Sequence, residues 1–161
     1  MGQQSTGQLD TVMHESRVFP PTAETSARAR IKSMAEYQQL WDEAAADPPA
    51  FWAKLAKEEL HWFEPFTQAL KWDEPHAEWF VGGKTNASYN CLDKHVAAGN
   101  GDRVALIWEG EPGDKKQYTY AELLREVCKF ANVLKSLGTK QGDVVSIYMP
   151  LTPELVISML A

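Results

Sequence analysis

The stretch WFVGGKTNASYNCLDKH, Trp79 to His95, contains Gly-Gly-Lys-Thr at 82–85, the closing residues of a phosphate-binding loop. Such a loop needs glycine at both ends of its spacer, so that successive backbone amides can wrap a phosphate. Counting back from Gly83-Lys84-Thr85 puts Glu78 where the first glycine belongs, with Trp79, Phe80, Val81 and Gly82 as the spacer. A carboxylate beside a polyphosphate is unfavourable, and Asn86-Ala87-Ser88-Tyr89 stands where an apolar helix should begin. The residues predict a tight turn at Gly82-Gly83 and no nucleotide site there.

The rest of the stretch offers other chemistry, and none of it assembles. Cys91 and His95 are four apart, with Asp93 between them. A structural zinc site wants four ligands and usually paired cysteines, and Cys128 has no such neighbour. A Cys–His nucleophilic pair lacks a third, orienting group. Both cysteines lie in apolar-patterned segments, so buried thiols are expected. Asn86-Ala87-Ser88 is a glycosylation sequon that has no consequence without a secretion signal. His61-x-x-Glu64 lacks the second histidine of a zinc-protease helix, and no Ser–His–Asp set emerges from spacing. The expected site residues are none: no catalytic, cofactor-binding or metal-binding position.

Toward the N-terminus, Ser33-Met34-Ala35-Glu36 has capping-box spacing, and order is expected to begin there. Met34, Tyr37, Leu40, Trp41 and Ala44 follow on one helical face. Asp47-Pro48 ends that helix and starts another, with Phe51, Trp52, Leu55 and Leu60 as its expected buried stripe. Residues 61–89 show no long regular period. Eleven of the seventeen aromatic residues lie between Tyr37 and Tyr89, which marks this part as an anchor against a larger body. Asn90 is expected to cap a short helix carrying Leu92 and Val96, ended by Gly99.

Toward the C-terminus the pattern becomes α/β. RVALIWE, 103–109, reads as a strand, EPGDK as a turn and KQYTY as the hairpin partner. Thr119-Tyr120-Ala121-Glu122 is a second capping box. Tyr120, Leu123, Leu124, Val127, Ala131 and Leu134 form the buried face of a helix closed by Gly138. GDVVSIYMP, 142–150, is an apolar run of the kind found in strands buried on both faces. Thr152-Pro153-Glu154 begins another helix. A parallel sheet needs more strands than these and cover on both faces, so the chain reads as the front part of a larger protein.

Composition narrows the classes. The chain has 161 residues, 44% hydrophobic and 24% charged, as a globular protein does. A formal net charge of −6 gives no electrostatic footprint for nucleic acid. No apolar run approaches bilayer length, so no membrane partner is expected. Residues 1–32 form a polar leader without the core of a signal peptide, expected to be disordered. Met1-Gly2-Gln3-Gln4-Ser5-Thr6 satisfies the loose myristoylation pattern, with a frayed polar terminus as the plainer reading. Two cysteines and no secretion signal fit a reducing cytoplasm.

The aromatic block resembles the N-terminal segment of the acetyl-CoA synthetases, the AMP-forming enzymes that activate acetate. Trp79-Phe80, Gly82-Gly83, Asn86, Ser88-Tyr89-Asn90-Cys91-Leu92-Asp93 and His95 follow that family's pattern, with Lys94 where Arg is frequent. YQQLWDEAAADPPAFWAKLA is similar to the family's helical leader. Tyr120, Glu122-Leu123, Ala131, Leu134, Gly138, Gly142-Asp143, Val145 and Pro153-Glu154 keep the spacing of the large domain of the adenylate-forming (ANL) superfamily. The resemblance covers roughly 34–161, nearly everything beyond the polar leader.

The resemblance implies an α/β fold in three parts: a leader at 1–32, a helical and aromatic strap at 33–98, and at 99–161 the start of an AMP-binding domain. It implies that acetate attacks the α-phosphate of ATP, with Mg²⁺, to give acetyl-AMP and diphosphate. The CoA thiol then attacks the anhydride after a C-terminal domain rotates, releasing AMP. The family's phosphate loop, nucleotide motif, CoA-contacting motif and catalytic lysine fall beyond Ala161. ATP, CoA and Mg²⁺ are thus expected for a full-length enzyme and not for this segment alone. A propionyl- or other short-chain acyl-CoA synthetase is the nearest alternative, and a stand-alone interaction module using the aromatic strap is another. Oligomeric state is not encoded in these patterns.

Overall fold

A computed structural model describes residues 18–161. The chain divides into two compact units, one ending at Ala46 and one beginning at Asp47. The myristoylation pattern at Met1–Thr6 lies outside the described residues.

The first unit holds α1 (Ala23–Arg28) and α2 (Met34–Ala46). Structure therefore precedes Ser33, contrary to the sequence expectation. The Thr22 hydroxyl accepts from the Thr25 amide at 3.2 Å and starts α1, and Glu24 pairs with Arg28 one turn on. The box at Ser33 is only half made. Ser33 Oγ accepts from the Glu36 amide at 3.2 Å, but the Glu36 carboxylate takes the Lys32 amide at 2.7 Å instead of that of Ser33. Tyr37 and Trp41 remain exposed on α2.

The second unit opens with α3 (Pro48–Glu59), where Asp47 Oδ1 accepts from the Ala50 amide at 3.0 Å and Pro48 occupies the first turn. Its expected stripe fails. Ala56 is the buried residue of α3, whereas Trp52 is 49% exposed and Leu60 also faces solvent. The aromatic stretch after it is more regular than its sequence promised. β1 (Gln68–Asp73) pairs antiparallel with β2 (His76–Val81), Leu70 opposite Trp79 and Trp72 opposite Ala77. Most of both strands is exposed on either face, so no alternation of apolar and polar residues betrays them.

Asn86, and not Asn90, caps the next helix, α4 (Ala87–Cys91), through a 2.8 Å bond from the Tyr89 amide. The single turn α5 (Asp93–His95) runs into a wide turn at Val96–Asn100, where Gly99 takes φ 80°. A second hairpin joins β3 (Val104–Glu109) to β4 (Lys115–Thr119). The complete capping box of Thr119 and Glu122 then starts α6 (Tyr120–Ser136). Gly138, at φ 88°, ends it in a Schellman arrangement: its amide donates to Lys135 O, and that of Thr139 to Leu134 O.

Residues 143–150 form no strand, against expectation. A ladder needs a neighbour, and among the described residues the two sheets are two-stranded hairpins that pair only with themselves. Val144 is 92% exposed and Tyr148 fully so. The segment is tied at its end, where Trp108 Nε1 donates to Leu151 O at 2.8 Å. α7 (Pro153–Leu160) follows as predicted. The core is small: Leu92, Leu123 and Val127, with Leu106, Tyr118, Leu124, Val156 and Leu160 packed on it.

Candidate functional site

The Gly82–Thr85 segment is a turn with its polar groups engaged. The Gly83 amide donates to Phe80 O at 2.9 Å, and Gly82 has φ 75°. The Lys84 amide donates to Glu64 O at 2.8 Å, and Lys84 Nζ meets Glu64 Oε1 at 2.7 Å. Thr85 Oγ1 donates to His61 O at 2.7 Å. A phosphate would have to displace the Glu64 carboxylate from the lysine and find other amides, so these residues do not fit a nucleotide. The glycine pair has another cause. A Cβ on Gly83 would lie 2.6 Å from the Trp62 ring and 3.0 Å from Phe66 Cβ, so only hydrogen fits beneath these aromatic groups.

Two aromatic triangles surround this turn. Trp62, Phe66 and Phe80 form one, with ring centroids 5.1–5.5 Å apart. Trp62 Nε1 donates to Ala56 O at 2.8 Å, and Lys57 Nζ lies 5.4 Å above the Phe66 ring, so α3 braces this triangle. Phe80 reaches it from a left-handed backbone, φ 55°, rare for an aromatic residue. His61, Phe63 and Tyr89 form the other triangle, with centroids 4.7–5.0 Å apart.

Asn90 joins the two ends of the segment. Its Oδ1 accepts from the His61 amide at 2.7 Å. Its Nδ2 lies within donating distance of His61 O at 3.2 Å, Thr85 Oγ1 at 2.9 Å and Asn86 O at 3.0 Å. Sequence reasoning made Asn90 a helix cap and missed this role. Nothing in a lone asparagine inside Ser-Tyr-Asn-Cys reports that its partner lies 29 positions upstream. Lys94 Nζ also donates back to Glu59 O, closing the same join from α5.

The metal-like residues do not converge. Cys91 and Cys128 are free and exposed, which corrects the expectation of buried thiols. His95 stacks on Tyr120 at 4.9 Å. Among the described residues no group of three His, Cys, Asp or Glu side chains is placed to hold a metal ion. An open groove of about 440 Å³ lies where Phe130, Val133, Met149 and Ile157 meet Glu126, Lys129 and Glu154. A hydrogen bond from Lys129 holds the Glu126 carboxyl below its ordinary range. The Thr152 hydroxyl, then the Glu154 amide and Lys116, do the same for Glu154. Both rim carboxylates already have cations beside them, Lys129 at Glu126 and Lys116 at Glu154. No helix among the described residues is long and apolar enough to cross a membrane.

Comparison with known proteins adds what this geometry does not hold. Residues 37–91 match the family model described as acetyl-coenzyme A synthetase N-terminus, and residues 93–161 match that of the AMP-binding enzymes. An acetyl-coenzyme A synthetase of Rhodopirellula baltica is 52% identical over 98% of this chain and 24% of its own length. That of Deinococcus radiodurans is 52% identical over 95% of this chain and 23% of its own length. That of Chlorobaculum tepidum is 49% identical over 98% and 24%. The chain thus spans about a quarter of the length of the curated relatives it matches.

Proposed function

We propose, for a chain that belongs to the acetyl-coenzyme A synthetase family, that it forms the N-terminal part of an enzyme making acetyl-CoA, AMP and diphosphate from acetate, ATP and CoA. One observation carries this reading: two family models match end to end, in the order N-terminal segment then AMP-binding enzyme, and identity near 50% extends over almost the whole chain. Acetyl-AMP is the intermediate, and Mg²⁺ accompanies ATP. The reacting groups belong to residues outside this sequence. Within it the division is a leader at 1–32, a helical and aromatic strap at 33–98 and the start of the adenylate-forming domain at 99–161. The enzyme works in the cytoplasm without a membrane or nucleic-acid partner.

The role left to these residues is structural. The aromatic triangles and the Gly83 turn build a stiff segment, and Leu92 leads from it into the core with Leu123 and Val127. The test is acetate-dependent exchange of labelled diphosphate into ATP by the intact protein, followed by CoA-dependent release of AMP. Both are expected with the intact protein, and neither with the 161-residue chain alone. Absence of exchange in the intact protein would refute the reading. A higher kcat/KM with propionate than with acetate would move it to the propionyl-CoA synthetases. Turnover by the short chain would overturn the placement of the reacting groups.

A further inference from the structure

We propose that residues 61–86 open and close as one unit, and that the Asn90 side chain is the latch that holds them shut. The segment is closed on itself. The Phe63 amide donates to Lys84 O and the Lys84 amide to Glu64 O, both at 2.8 Å, while the Thr67 amide donates to Val81 O at 3.0 Å. The hairpin β1–β2 and the Trp62–Phe66–Phe80 triangle lie wholly inside it. Loops whose ends meet and whose side chains pack together behave as compact units. Much of this one is exposed, including Phe63, Trp72 and Trp79, which puts it among the parts of a fold that open first.

Where the ends meet, one side chain does most of the fastening. Asn90 takes the His61 amide and also faces the His61 carbonyl, so it occupies both polar groups of that peptide position as a neighbouring strand would. Through Thr85 Oγ1 it reaches the other end, because that hydroxyl itself donates to His61 O. The single amide thus bridges His61, Thr85 and Asn86 from α4. The segment has further ties to the body: the Trp62 indole on Ala56 O, the Lys57 ammonium over Phe66, the ring contacts of His61 and Phe63 with Tyr89, and the Tyr89 amide on Asn86 Oδ1. None of these bonds both ends at once.

Amide hydrogen exchange on the intact protein and its Asn90→Ala variant tests this. The amides of Phe63, Glu64, Thr67 and Lys84 should exchange about ten- to a hundredfold faster in the variant, by a common factor, with α6 amides such as Val127 unchanged. Acceleration of the His61 amide alone would show a local hydrogen bond and overturn the latch. Equal acceleration in α6 would show global destabilisation and overturn it as well. Thr85→Val removes only the relay hydroxyl and keeps the shape. It should speed the same set of amides by roughly three- to tenfold, and no change in that set would count against the bridge.

Discussion

Gly83 carries a hydrogen where any other residue would put a carbon 2.6 Å from the Trp62 ring and 3.0 Å from the Phe80 carbonyl oxygen. Gly82 is glycine for another reason: its φ is 75°, but a Cβ there would meet nothing nearer than Thr67 Oγ1 at 3.7 Å. The two substitutions separate packing from backbone strain. Gly83→Ala pushes on a stiff aromatic triangle and should cost about 1–3 kcal/mol, as overpacking does. Gly82→Ala should cost about 1 kcal/mol, from its left-handed backbone alone. Urea midpoints at constant slope give both values. A Gly83→Ala protein as stable as wild type would mean that the Trp62 ring moves aside freely. From sequence, the pair could be recognised as a turn because the phosphate-loop pattern failed at Glu78. That aromatic rings and not a ligand demanded the second glycine could not be read, since Trp62 is 21 positions away.

α6 was legible because its signals are local. Thr119 and Glu122 start it, Gly138 ends it, and Leu123 and Val127 fall on its buried face. The apolar run at 142–150 and the hairpin at 68–81 misled for the opposite reason: strand identity depends on neighbours, and the first has none among the described residues while the second buries little. The capping box also gives a pH dependence. Bonds from the Thr119 amide and hydroxyl, helped by Arg125, hold the Glu122 carboxyl below its ordinary value of 4.5. A carboxyl lowered by folding stabilises the fold above its unfolded value, and that contribution is lost as pH falls through the folded one. Stability should therefore drop as pH falls below the ordinary 4.5, and more steeply in wild type than in Glu122→Gln. Glu126 and Glu154 act with the same sign, so the variant flattens the profile without levelling it. Thr119→Ala, measured at neutral pH, should cost about 1 kcal/mol through the lost cap. Parallel acid profiles for wild type and Glu122→Gln would remove the carboxylate from this account.

At the scale of the whole molecule, one residue occupies the junction. Leu92 lies between the two family matches, which end at Cys91 and begin at Asp93. It is only 2% exposed and packs with Leu123 and Val127 of α6. Leu92, which follows α4, therefore shares a core with α6, and the boundary in family space is a point of continuity in the fold. Sequence reading placed Leu92 on a short helix but could not show what it faced, because contact across 31 positions leaves no local period. The buried set is small enough that a single cavity in it matters. Leu92→Ala should cost about 2–5 kcal/mol, the lost transfer energy plus the void left behind. Leu137→Ala deletes the same atoms from a side chain that is 76% exposed, and should stay within about 0.5 kcal/mol of wild type. Urea unfolding followed by helical circular dichroism compares the pair. Equal costs at the two leucines would mean that the Leu92 segment and α6 are not held by this core. A large cost at Leu92 with one coincident transition for fluorescence and helicity, measured on a Trp41→Phe background, would show that the segment from Asp47 onward unfolds as one body.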